Sequence, residues 1–253
     1  MNYEKWVRHF DRNSKNRPEP DWDAPLKLTG RMLKKLTCSI QQFQLGDGGG
    51  PAYLIAWNRD RYLSDPAVKR VIDLWFNEEK EHSRLLGGML RRLGAEEIQS
   101  HWSFSLFCGV RRFLGVRFEL QALLGTEIVS NVYYKMLRKH GEDAALRGMC
   151  DLIISDETGH ISFHRSRLAD EGGRGKFGAR WSALFRLRAL AAGTVLWVNH
   201  RGALVALGGN DAEFYRWIWR DTDAFINRLR REAFRSEAVR RVEKGVSAGI
   251  VGI

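Results

Sequence analysis

Cysteine patterns that would staple or ligate are missing from this chain. Its three cysteines, Cys38, Cys108 and Cys150, stand far apart with no CxxC pair. That excludes a disulfide framework and a cysteine-based zinc site. Cysteine used this sparingly predicts a reducing, cytoplasmic setting. Proline is scarce as well, 5 in 253 residues, which argues against a disordered Pro-rich chain. Long apolar runs are also lacking. The uncharged stretch between Arg188 and Arg201 holds 12 residues, short of the roughly 18 that a spanning helix needs, and the opening residues have no apolar segment of signal-peptide length. No membrane partner is therefore expected. Alternating strand patterns and internal repeats do not occur.

What is present is a soluble composition, 44% hydrophobic and 28% charged, with a formal charge of +11. The basic excess is uneven. Residues 161–253 hold 17 basic and 9 acidic side chains, a surface able to attract nucleic acid, an acidic carrier protein or anionic lipid.

Helical periodicity dominates after a polar segment, residues 1–24, which reads as an irregular arm. A first helix from about Pro25 carries Leu28, Met32, Leu36, Ile40 and Phe43 at steps of three or four. Asp47-Gly48-Gly49-Gly50-Pro51 should weaken or kink it, and the following AYLIAWNRDRY reads as helical again. Ser64-Asp65-Pro66 is a cap with proline at the first helical position. It opens a second helix that Gly94 ends. A third helix covers residues 104–140, a fourth runs from Glu142 to about Ala169, and two more occupy residues 180–207 and 211–235. The final SAGIVGI reads as a loose tail. The fold class is all-α: residues 25–170 form a helix bundle and residues 171–253 a helical extension packed on it.

The apolar stripe of the second helix passes through Ile72, Trp75, Phe76, Leu86, Met89 and Leu93. Its phase lands on Glu79 and His82, while Glu78 and Glu81 fall on other faces and read as solvated. The fourth helix repeats the pattern. Its stripe, Leu146, Cys150, Ile153 and Leu168, takes in Glu157, His160 and, one turn on, His164. In the third helix the stripe through Val116, Leu120, Leu123, Leu124 and Tyr134 includes Glu127, with Glu119 off it. In the first, the phase leads to Asp47. Buried carboxylates are rare unless paired or metal-bound, and arginines and lysines here fall mostly off the stripes. Two divalent ions would balance Asp47, Glu79, Glu127 and Glu157, with neutral His82 and His160 completing the shell. Such oxygen and imidazole ligands suit iron or manganese.

One carboxylate from each of two helices and a Glu-x-x-His from each of two others is the ligand pattern of the ferritin-like superfamily of diiron-carboxylate proteins, which this chain resembles over about residues 26–170. The gaps of 32 residues from Asp47 to Glu79 and 30 from Glu127 to Glu157 fit pairs of long antiparallel helices. DETGHISFH resembles the last-helix motif of the superfamily's oxidases and oxygenases. The resemblance implies a ferritin-like four-helix bundle with two additional C-terminal helices. It also implies two Fe ions, with Mn or a mixed Mn/Fe pair as alternatives, and an enzyme that activates O2 to oxidise an organic substrate. Glu79, His82, Glu127, Glu157 and His160 would form the catalytic centre. An external reductase and a homodimer are implied as well.

Aspartate at the first-helix position departs from the usual glutamate and is similar to ribonucleotide reductase small subunits. His164 is similar to the extra ligand of some diiron N-oxygenases, and otherwise reads as a core histidine bonded to a neighbour. Tyr133 and Tyr134 follow Glu127, as redox-active or packed residues. Gly125 and Gly159 flank presumed ligands, where they would permit close helix approach or open a substrate channel. Trp197, His200, Trp217 and Trp219 are candidate walls of a substrate pocket. Arg174, Lys176, Arg180, Arg186 and Arg188 would steer an acidic carrier protein or tRNA. The alternatives are a ferritin- or rubrerythrin-like protein handling iron or peroxide, which the lack of CxxC weighs against, and a binding protein with a structural metal.

Overall fold

The computed structural model describes residues 1–15, 17–48, 53–172 and 174–250. Among them the chain is all-α: α1 (Tyr3–Lys15), α2 (Gly30–Gly48), α3 (Arg59–Tyr62), α4 (Pro66–Arg92), α5 (Trp102–Phe113), α6 (Val116–His140), α7 (Ala144–Glu171), α8 (Ala179–Ala206) and α9 (Asp211–Ile250), with a 3-10 turn at Arg174–Phe177. The predicted starts of α4 and α7 are capped as their sequences dictate. Asp65 accepts the N–H groups of Ala67 and Val68, and Asp143 accepts that of Leu146. Gly94 supplies the left-handed φ of +67° that follows α4.

Several boundaries differ from expectation. Residues 3–15, expected as part of an irregular arm, form α1, because Trp6 and Phe10 lie one turn apart and both bury. A polar sequence hid this narrow apolar edge. The expected single helix over 104–140 is broken into α5 and α6 at Gly115, whose φ is +77°. The first helix starts at Gly30 rather than near Pro25, and among the described residues 53–62 of the AYLIAWNRDRY segment only the short α3 is helical. The kink expected at Gly49, Gly50 and Pro51 lies outside the described residues. The expected loose tail is helical through Ile250, and residues 251–253 lie outside the described residues.

Helix α2 packs on α4, α6 on α7, and α4 on α7; α8 covers α2 and α6, and α9 covers α6, α7 and α8. One core joins Leu36, Ile40, Leu86, Met89, Leu137 and Cys150 with Ala203 and Phe214 of the extension. Each fully buried Leu or Ile contributes about 1.5–3 kcal/mol. A second core, Trp6, Phe10, Val71, Ile72, Trp75 and Phe163, lies under α1. Gly159 permits the approach of α1 to α7, since a Cβ there would come within 2.6 Å of His9 Nε2. At Gly125 a Cβ would meet open space, so the close approach expected there does not occur.

The expected pocket-wall residues have other neighbours. His200 Nδ1 lies 2.8 Å from Ser39 Oγ, which lies 2.6 Å from the Tyr133 hydroxyl. This buried clip ties α8, α2 and α6 together, with Phe43 against both rings. Trp197 packs on Phe214, while Trp219 is largely exposed under the Arg186 guanidinium. Arg186 and Arg188, expected to steer a partner, also bond Asp223 and Gln121 within the fold. Among the described residues no helix is long and apolar enough to cross a membrane.

Glu119, which the stripe left outside, is fully buried. Its carboxylate takes two bonds from Arg111 and the N–H groups of Ile55 and Ala56. This fixes α5 and the 53–56 segment to the start of α6. Removing one partner strands the other charge in the interior. Glu119→Ala should therefore lose about 3–5 kcal/mol in urea unfolding.

Burial lowers the His200 pKa to about 3, against an ordinary 6.5. Between these values the unfolded chain binds a proton that the folded chain does not, so stability falls as pH falls. About 2 kcal/mol should be lost between pH 7.5 and pH 5 on this account, and His200→Gln should flatten that slope in urea unfolding at the two pH values.

Candidate metal centre

Successive helical residues lie about 100° apart around the axis. His82 therefore projects about 40° from Glu78 and about 60° from Glu79. When the apolar stripe of α4 turns His82 inward, both glutamates flank it along the interior wedge. The same holds in α7 for Asp156, Glu157 and His160. Glu127 of α6 and Asp47, in the last turn of α2, complete the set.

The structure brings these side chains together. Glu79, Glu127 and His160 each offer one ligand atom, all within 4.8 Å of one another, an arrangement able to hold a metal ion. His160 Nδ1 lies 3.1 Å from Glu79 Oε1, 3.2 Å from Glu127 Oε2 and 3.8 Å from Glu157 Oε2. His82 Nδ1 lies 3.6 Å from Glu79 Oε2. Asp47 is half-buried and accepts a bond of 3.3 Å from the Tyr134 hydroxyl. It belongs to the cluster by charge, feeling Glu79, His82 and Glu127, but stands outside the tight group of three.

Glu78, expected in solvent, is buried and accepts from His160 Nε2 at 2.9 Å. Asp156 is buried as well, 3.0 Å from His82 Nε2 and 2.6 Å from Arg17 Nη2. The pairing is crossed: the acid that precedes each Glu-x-x-His binds the outer nitrogen of the other motif's histidine. Both imidazoles are thereby turned so that Nδ1 faces the shared space. This is the arrangement by which outer carboxylates orient metal-binding histidines. The signal was legible as an acid directly before each motif, Glu78-Glu79 and Asp156-Glu157, but the stripe phase averaged it away. Glu81, by contrast, is half-buried and pairs with Arg84, near the expected solvated face.

Trp75 walls the site, donating from Nε1 to Glu79 Oε1 at 3.0 Å and packing against the rings of His160 and His164. His164 is fully buried, yet neither nitrogen finds a hydrogen-bond partner among the described residues. The neighbour expected to bond it is therefore not seen there. His82 Nδ1 and Glu157 Oε2 are unpartnered in the same sense. Unpaired buried groups of this kind are costly.

The electrostatics follow from crowding. Burial, followed by the charges of Glu79 and Glu127, raises the Asp47 pKa to about 8, against a counteracting bond from Tyr134. Burial and the neighbouring Glu127 hold the Glu157 carboxyl well above its usual range. Burial opposes ionisation of Glu79, but His160 and His82 outweigh it and hold that carboxyl far below the ordinary range. Burial also disfavours charge on His82, yet its bond to Asp156 and the nearby Glu79 carboxylate push it up to about 10. His160 stays well above its usual value, where Glu127 and Glu79 overcome burial. His164 goes the other way, lowered by burial and by Arg167 and His160. The centre thus balances its carboxylates with protons held on imidazoles and carboxyls, and metal binding releases such protons.

The chain matches no protein-family profile, no curated protein and no solved structure.

Proposed function

We propose that this chain is a ferritin-like dimetal-carboxylate oxidase or oxygenase, with α2, α4, α6 and α7 as its four-helix bundle and α8 and α9 as an added flank. The observation that carries the reading is the convergence of Glu79, Glu127 and His160 within 4.8 Å, backed by the crossed acid–imidazole pairs. In this reading Glu79, His82, Glu127, Glu157 and His160 hold two ions, with Asp47 at one end and His164 beside Trp75. Oxygen and imidazole donors favour iron, or manganese in one or both positions. Bound there, the metal pair would supply activation of O2 for oxidation of an organic substrate, with electrons from a separate reductase.

The protein's own part is positional. Glu78 and Asp156 fix the two rings from behind. Trp75, Phe10 and Phe163 present an apolar wall that keeps water from His160 and His164. The Tyr134 hydroxyl, donating to Asp47 Oδ2 at 3.3 Å, fixes the orientation of that carboxylate at one end of the site.

Purified protein should bind two iron or manganese ions per chain by elemental analysis. Glu79→Ala and Glu157→Ala should each lose most of that metal, and Asp47→Asn should lose one ion preferentially. Full retention in both alanine variants would overturn the reading. Exposing the ferrous protein to O2 should give transient optical bands, whereas steady growth of mineral iron would indicate storage instead.

Outer-acid variants should weaken loading without abolishing it. Glu78→Gln and Asp156→Asn should each lower metal affinity about 10- to 100-fold, read by competition with a chelator.

A further inference from the structure

A patch of large apolar side chains stands in solvent around α5, away from the acidic interior. Trp102, Leu106, Val110 and Phe113 recur at steps of four, four and three along α5, with Leu114 just after it. Trp57, from the 53–58 segment, packs its ring 5.6 Å from that of Phe113. These six residues are between 42 and 76% exposed. Scattered exposed apolar residues are ordinary, but a contiguous face of aromatic and aliphatic groups marks a contact surface.

The exposure is held in place. The remaining face of α5 carries Arg111, which is buried and bonded to Glu119, while Phe107 packs under its guanidinium. The same carboxylate holds the N–H groups of Ile55 and Ala56, just before Trp57. The lock that fixes α5 to the body therefore also points its apolar face, and Trp57, outward.

The rim of the patch is basic. Arg112 and Arg117 are exposed at its α5–α6 end, and Arg59 and Arg61 are exposed beside Trp57. Asn58 ties the two sides together through its bond to the Val116 N–H. The acid among them, Asp60, lies 3.6 Å from Arg59. A second copy of this chain on the same patch would set one arginine-bearing rim against another, because a two-fold contact pairs a surface with itself. An apolar face with Trp and Phe, rimmed by arginine, instead complements a surface that is apolar within and negative at its boundary.

We propose that α5 and Trp57 dock this protein on an anionic phospholipid surface, lying in the interface rather than spanning it. The absence of a spanning segment excluded only a traverse of the bilayer, and an interfacial helix has no such length requirement. The proposal does not depend on the metal reading.

The test is co-sedimentation of the full chain with vesicles of phosphatidylcholine alone and of phosphatidylcholine with phosphatidylglycerol. The protein should bind the anionic vesicles, with a blue shift of tryptophan emission, and should bind the neutral ones weakly. Binding should fall with rising salt. Leu106→Ser with Phe113→Ser, at surface positions that leave the fold intact by thermal unfolding, should cut binding by at least about tenfold. Arg59→Gln and Arg112→Gln should each cut it about fivefold. The proposal is overturned if anionic vesicles fail to bind at low salt, or if the serine variant binds as well as the parent. It is equally overturned if that variant merely turns an oligomer into a monomer by light scattering, which would make the occupant a second copy.

Discussion

Crowding of negative charge in a space with little water is the constraint on which the rest of this structure depends. Asp47, Glu79, Glu127 and Glu157 face one another, and among the described residues no lysine or arginine bonds to any of them. An isolated buried carboxylate is too costly to persist. The interior therefore accepts protons on its imidazoles and on some of its carboxyls, or cations. The helices carrying these groups must stay close enough for the balance to hold, and the apolar cores above and below the cluster supply that closeness.

The crossed acid–imidazole bonds convert this balance into geometry. Each histidine is held at one nitrogen by an acid from the opposite helix, so α4 and α7 are joined twice through their own interior. Neither helix can rotate about its axis without breaking a buried charged hydrogen bond. Such bonds are about twice as strong as neutral ones. Orientation of the free nitrogens is thus a property of the helix pair rather than of either motif alone.

Much of this was legible in the residues. The Glu-x-x-His pairs, Glu127 and Asp47 could be placed because helical phase carries an apolar stripe through polar positions, and the structure brings them to one interior. The caps at Asp65 and Asp143 were equally readable, being local. Glu78 and Asp156 escaped because they sit at the edge of the wedge, where phase alone does not separate inside from outside. Glu119 escaped because its partner, Arg111, lies across a helix break at Gly115 that periodicity does not register. Helix α1 was hidden because two aromatic residues in a polar stretch give too short a stripe to count. In each miss the deciding interaction joins elements that sequence spacing cannot relate.

Arg17 reaches Asp156 across 139 positions of sequence, and Asp156 in turn steadies His82. Helix α1 is made well before its docking place on α7, which lies more than a hundred positions further along the chain. Contacts this distant in sequence form late, since the intervening loop must close before they stabilise anything. Trp6 and Phe10 find their cover in side chains of α4 and in Phe163 of α7, so during synthesis they stay uncovered at least until both helices have been made.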